Sequence, residues 1–348
     1  MADTNTSFES VINLSEHLDL SEPFSDDWLN GRHVLITGGA GALGSNFVRR
    51  WAKAGATLVI GDRDAEKGSQ LVAELRQEFQ RDHVAFFVEC DIVQWESQVN
   101  LFQEAARLSL HGGIDAVIAN AGAGGPDVLG VPNRELPRPH APPDISTTMT
   151  NYVGLLYTVH LASYYLAHNP GSTPCSPKPP VGTTRSSRDR HLLLVGSVAS
   201  LTPVVGRPQY TGSKHAVLGI FRALRATSFL SGIRITLLCP YFVDSAMVAP
   251  HIKPLLEGTK LAEMHDVVEA ATRLVADERI SGRALVVGPP LQRSESQGLL
   301  VPGFDPESID DIRIWDCYAD DYQKVQIFTR RLVNALRQQE LANEMKQE

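Results

Sequence analysis

Three side chains between residues 197 and 214 could carry proton chemistry: the hydroxyl of Ser197, the phenol of Tyr210 and the ammonium of Lys214. Ser197 ends an apolar run, Leu192 to Gly196, that reads as a buried strand. Tyr210 and Lys214 are four positions apart, the spacing that puts two side chains on one face of a helix. A neighbouring ammonium favours a phenolate, so Tyr210 is expected to take or give a proton near neutral pH, with Ser197 bonding the same substrate oxygen. By itself a Tyr-x-x-x-Lys pair decorates many helix surfaces. A second signature far upstream gives this one its meaning.

That signature is Thr37-Gly38-Gly39-Ala40-Gly41-Ala42-Leu43-Gly44, placed where a strand gives way to a helix. Glycines let the backbone turn tightly and approach a pyrophosphate, and a helix N-terminus offers N–H groups and the positive end of its dipole. A glycine turn can also join strand to helix with no ligand. Here Asp62 closes the next strand, where a carboxylate can accept hydrogen bonds from ribose hydroxyls. It would also repel the extra 2′-phosphate of NADP, so NAD is the expected cofactor. Arg63, beside it, is the residue that could instead hold that phosphate.

The elements that must position these groups alternate strand and helix from Gly31 onward, the pattern of an α/β, doubly wound sheet with helices on both faces. Seven parallel strands are expected, starting at His33, Thr57, Val84, Ile114, Leu192, Ile233 and Ala284. Helices are expected over Gly41 to Ala54, Ala65 to Phe79, Trp95 to Leu108, Ile145 to Ala167, Tyr210 to Leu230 and Glu263 to Ala276. A loop rich in Gly and Pro, Ala123 to Pro143, follows strand four on the edge where ligands bind such sheets. A second, His168 to Arg190, enters strand five from the opposite edge and reads as a peripheral, mobile insertion.

Together these residues resemble the short-chain dehydrogenase/reductase family, whose catalytic Ser, Tyr and Lys match Ser197, Tyr210 and Lys214. The glycine turn carries Ala42 where the family's usual pattern has glycine, and with Gly41 it follows the extended branch that includes sugar-nucleotide epimerases. The interval from Ser197 to Tyr210 resembles the classical branch instead, and decides the assignment. Asn120-Ala121-Gly122 matches the Asn-Ala-Gly motif beside the cofactor. Asp91, with Ile92 after it, matches the acid that meets the adenine ring. Asn151 matches the helix asparagine that holds a water between the lysine and solvent. Pro240-Tyr241-Phe242-Val243-Asp244-Ser245 departs from the family's Pro-Gly-x-Val-x-Thr, while Pro240 and Val243 keep their place at the nicotinamide.

The resemblance spans residues 31 to 290 and implies hydride transfer between a nicotinamide and a carbon bearing a hydroxyl or carbonyl. Tyr210 is then the acid/base, Lys214 acidifies it and binds the nicotinamide ribose, Ser197 polarises the substrate oxygen and Asn151 completes the proton path. Val204, Val205, Tyr241 and Phe242, with the apolar stretch Ala246 to Leu261 in the position of the substrate lid, suggest a hydrophobic secondary alcohol or ketone. The alternatives are an NADPH-dependent ketone reductase and a dinucleotide-sensing regulator without turnover, against which the intact Tyr and Lys argue. The long tail and the altered Pro-Tyr-Phe-Val-Asp stretch resemble fungal dehydrogenases of secondary metabolism. Relatives pair through their fourth and fifth helices, which implies a homodimer or homotetramer.

The chain of 348 residues carries a net charge of −8, yet residues 1 to 30 hold seven acids and no Lys or Arg, leaving the body nearly neutral. A neutral body does not suit nucleic acid. The leader reads as a solvated arm, with a short helix near Phe8 to Leu20. Four scattered cysteines without a Cys-x-x-Cys suit reduced thiols, and no apolar run is long enough to span a bilayer. No secretion signal begins the chain, so a cytoplasmic protein is expected. The tail from Leu291 to Glu348 is expected to be partly helical, around Tyr318 to Leu336.

Overall fold

Short runs of Val, Ile and Leu bounded by glycine turns form strands buried on both faces, as parallel strands covered by helices must be. The computed structural model describes residues 14–125, 127, 129, 142–175, 188–243, 261–291, 312–317 and 338. Its strands are β1 (His33–Thr37), β2 (Thr57–Asp62), β3 (Ala85–Glu89), β4 (Ala116–Ala119), β5 (His191–Val195), β6 (Arg234–Pro240), β7 (Ala284–Leu291) and β8 (Ile312–Cys317). They form one sheet in the order β3-β2-β1-β4-β5-β6-β7-β8. The first seven pair in parallel, and β8 runs antiparallel to β7. The strand order reverses between β1 and β4, where such sheets open their ligand crevice.

Period-two alternation divides the core. Val34 and Ile36 belong to the cluster under α1 (Ala42–Lys53), α2 (Ala65–Phe79) and α6 (Met264–Ala276). Leu35 faces the other way, into the cluster under α3 (Trp95–Leu108), α4 (Leu155–Ala167) and α5 (Pro208–Arg225). Trp51 on α1 is fully buried and donates from its indole to Thr272 on α6 at 3.0 Å, which ties the two helices together.

Five expectations change. The sheet has an eighth strand, supplied by the segment read as an extension, and β7 itself crosses the expected boundary at residue 290. Residues 14–30 are not a solvated arm. Leu14 is buried against Gly282, Ser15 bonds Ser281, and the Leu18 N–H donates to Asp316 on β8 at 3.0 Å. Residues 14–19 are not helical. The helix expected from Ile145 is broken into a single turn, a π-helical segment Met149–Gly154 and then α4. The insertion before β5 is pinned at both ends: Ser172 bridges Arg188, and Arg188 donates to buried Asp115 at 3.1 Å. Its middle, the lid segment 246–260 and the helix expected near 318–336 lie outside the described residues.

Candidate active site

The glycine turn is shaped by close approach. Gly38 adopts a positive φ of 65°, and a Cβ there would lie 2.7 Å from the Ala121 backbone. A Cβ on Gly44 would sit 2.2 Å from the Gly38 carbonyl, so only glycine lets the first turn of α1 rest against the loop. Asn120, at the end of β4, donates to the carbonyls of Thr37 and Gly38 at 3.0 and 2.9 Å and staples the turn to the sheet. Gly39 packs between Ile36 and Ile60 and lies off the cavity wall, whereas Gly38, Gly41, Ala42, Leu43 and Gly44 line it.

The N-terminus of α1 has no side-chain cap and no acid in its first turn. Its free N–H groups are therefore left for an anion, and a diphosphate fits this cradle. Asp62 and Arg63 line the same cavity, as do Asp91 and Ile92. The Asp62 carboxylate already accepts from the N–H groups of Ala40 at 3.0 Å and Asp64 at 3.1 Å. Those bonds fix its orientation while it joins turn to helix, a part in the fold that the spacing did not reveal.

Asn151 sits in the π-helical segment, a local widening that recurs at functional sites. It is 2 % exposed and spends its amide inside the protein. Its oxygen accepts from Ala123 N–H at 2.7 Å, and its nitrogen donates to the Ala123 carbonyl and to Ser213. Thr150, not Asn151, reaches the cavity wall. Gly122 keeps open the space between Asn151 and Lys214: a Cβ there would stand 3.4 Å from the Asn151 oxygen and 3.4 Å from Lys214 Nζ.

Ser197 leaves β5 and caps the short 3₁₀ turn Val198–Ser200, while Tyr210 and Lys214 stand on the first turns of α5. All three line the cavity. Ser197 stands close enough to the Tyr210 phenol to lower its pKa, so the two groups read together in the sequence do meet. Burial raises the Tyr210 pKa above its ordinary value, opposed by Ser197 and by the positive charge of Arg207. Lys214 is buried, its pKa is lowered to about 8 by that burial, and its Nζ donates to the Val195 carbonyl at 3.2 Å. The positive charge of Arg207 also lowers the phenol's pKa, a contribution the sequence did not show.

The cavity, about 310 Å³, runs from Asp62 and Arg63 at one end to Val198, Val204, Tyr241 and Phe242 at the other. Pro240 and Val243 line it too. The Tyr241 N–H donates to the Val287 carbonyl at 2.7 Å, extending the β6–β7 ladder where the family has glycine. Val205 is 95 % exposed and takes no part in the wall. Arg207 and Asp127 were missed in the sequence. Arg207 lines the cavity, and Asp127 caps α5 by accepting from the N–H groups of Gln209 and Tyr210 at 2.7 and 3.2 Å. The only sequence signal for that cap is an acid in a Gly-rich loop, which has no fixed spacing to a helix more than 80 residues away.

Residues 32–172 and 186–254 match the family model described as short chain dehydrogenase. The chain is 34% identical over 290 residues to 5′-hydroxyaverantin dehydrogenase stcG of Emericella nidulans, covering 79% of this chain and 89% of that protein. It is 32% identical over 279 residues to 5′-hydroxyaverantin dehydrogenase of Dothistroma septosporum, covering 75% and 85%. Its fold is similar to the crystal structure of 3-ketoacyl-(acyl-carrier-protein) reductase from Brucella melitensis complexed with NADH, at a TM-score of 0.59 and 24% identity, covering 74% of this chain and 97% of that one. With a glycine turn, a Ser–Tyr–Lys group on the wall of one cavity and these matches in one chain, the protein belongs to the short-chain dehydrogenase/reductase family and is an NAD(P)-dependent oxidoreductase acting on CH–OH groups.

Proposed function

We propose that the protein transfers hydride between NAD(H) and a hydrophobic secondary alcohol or ketone. The observation that carries this is one continuous cavity, with an uncapped helix N-terminus and Asp62 at one end and Ser197, Tyr210 and Lys214 beside apolar side chains at the other. The two fungal relatives, named as dehydrogenases of a hydroxylated compound, support an alcohol or its ketone as substrate and a place in secondary metabolism.

When bound, the nicotinamide accepts or supplies the hydride. Tyr210 takes the hydroxyl proton in oxidation and returns it in reduction. Ser197 holds the substrate oxygen in line with that phenol and polarises it. Lys214, whose ammonium is only marginally favoured in its buried position, presents positive charge to the phenol and ribose once its bond to Val195 is relaxed. Asn151, fixed by Ala123 and Ser213, borders the gap beside Gly122 through which a proton can reach Lys214. The apolar walls exclude water from the reacting carbon.

Asp62 on the cavity wall supports NAD, because its carboxylate would repel a 2′-phosphate. Arg63 beside it on the wall favours the second reading, an NADPH-dependent ketone reductase, and rates with the two cofactors separate these. Leu156 and Tyr164, exposed on α4, support pairing of two copies through that helix, one of the two helices named for pairing from the sequence. The assignment of the phenol is tested with Tyr210→Phe. It is expected to lose about 10²- to 10⁴-fold in kcat while still binding the cofactor. Near-normal turnover would overturn the assignment, and binding without turnover by the unaltered protein across a broad alcohol panel would favour a dinucleotide sensor.

A further inference from the structure

The cavity contains a cation that the hydride-transfer reading does not use. Arg207 lies one turn before Tyr210, with its guanidinium 5.8 Å from the centroid of the Tyr210 ring. One terminal nitrogen donates to the carbonyls of Gly124 and Gly125, in the loop that leaves β4. These bonds anchor the head group at the substrate end of the cavity, across from the adenosine end marked by Asp62 and Arg63. Nε is buried and bonds nothing, and the second terminal nitrogen has no acceptor among the described residues. No carboxylate stands within 4.0 Å of the guanidinium among the described residues.

A half-buried guanidinium with free donors is costly unless an acceptor, and best an anionic one, meets it. Two glycine carbonyls supply part of that need, and Asp127, spent on the N–H groups of Gln209 and Tyr210, forms no ion pair with it. Val198, Val204 and Phe242 line the same cavity and reduce the water available to screen the charge. A planar cation held rigidly beside the reacting oxygen selects oxygen acids by charge and shape.

We infer that Arg207 is a specificity-determining residue that holds an acidic oxygen of the substrate, a carboxylate or phenolate close to the reacting carbon, so that the true substrate is hydrophobic but carries one such group. This deepens the proposed function and rests on it. The acidic oxygen accepts from the terminal nitrogen that Gly124 and Gly125 leave free, since Nε is enclosed by protein, and it orients the carbonyl toward Ser197 and Tyr210. Because the contact is made before and during the reaction, its loss raises KM more than it lowers kcat.

The test uses the full chain with NADH and NADPH in parallel and two pairs of ketones. One pair is 2-acetyl-1-naphthol and its methyl ether, and the other is 2-acetylbenzoate and its methyl ester. The unaltered protein should show a KM lower for the free phenol, the free acid or both than for the methylated partner, by roughly tenfold to a hundredfold. Which pair shows it distinguishes phenolate from carboxylate. In Arg207→Gln that ratio should fall toward one, and Arg207→Lys, which keeps the charge, should restore part of it. A ratio near one in the unaltered protein overturns the inference without needing any variant to fold, and so does a ratio that persists in Arg207→Gln. Failure of the underlying reading looks different: turnover of every ketone would survive Tyr210→Phe.

Discussion

Lys214 donates from Nζ to the carbonyl of Val195 at 3.2 Å, one helical turn beyond Tyr210 and inside the core. Burial has lowered its pKa to about 8, so the free enzyme loses this ammonium as pH rises through that value. If the charge is needed at the phenol, kcat/KM is level on the acid side of pH 8 and falls on the alkaline side. In Lys214→Arg, charged throughout, the alkaline limb should move upward. Identical limbs in the two proteins would assign it to another group.

The glycines of the nucleotide turn are not equivalent. A Cβ on Gly44 meets the Gly38 carbonyl at 2.2 Å and Gly39 Cα at 2.7 Å, both backbone atoms that cannot step aside. A Cβ on Gly41 meets only the Gly38 carbonyl, at 3.2 Å. Gly44→Ala should therefore cost about 2 to 4 kcal/mol of stability and weaken cofactor binding. Gly41→Ala should cost less than about 1 kcal/mol and act mainly on cofactor affinity, since Gly41 lines the cavity. Chemical denaturation and NADH fluorescence titration of both variants check this, and equal stability losses would contradict it.

At the amino edge of the sheet Arg234 donates to Asp189 at 2.7 Å, both side chains being buried. The guanidinium also bonds the carbonyls of Leu274 and Val275 at the end of α6. Asp189→Ala leaves a buried cation without its counter-charge and should lower stability by about 3 to 5 kcal/mol. Urea unfolding measures it. A loss below about 1 kcal/mol would mean that the helix-end carbonyls suffice for Arg234.

Burial pushes the His33 imidazole down to about 4 and lowers His111 and His191 as well. An unfolded imidazole titrates near 6.5, so between the two values the unfolded chain binds protons that the folded chain refuses. The stability is fully present above that unfolded value and is lost as pH falls toward 4. For His33, itself 4 % exposed, the loss is on the order of 3 kcal/mol. Urea midpoints taken from neutral pH down to pH 4 should fall steadily, and a flat profile would show that the imidazoles still take up protons in the folded protein.

The alternating apolar runs, the glycine turn, and the spacing of Ser197, Tyr210 and Lys214 are local patterns, and they were sufficient to determine the doubly wound sheet and the group at its carboxyl edge. The strand register was not legible, because strands buried on both faces carry no polar alternation to count. Other features depend on contacts between distant residues. Arg207 meets Gly124 and Gly125, Asp127 caps α5, and the Leu18 N–H finds Asp316 on β8. The position of Arg207 beside the Tyr210 ring also belongs here, because it depends on where that head group points once the core has closed. A side chain bonding a main-chain group a hundred residues away leaves no period or motif in the sequence, so only the assembled tertiary structure decides which charges meet and which are left for a ligand.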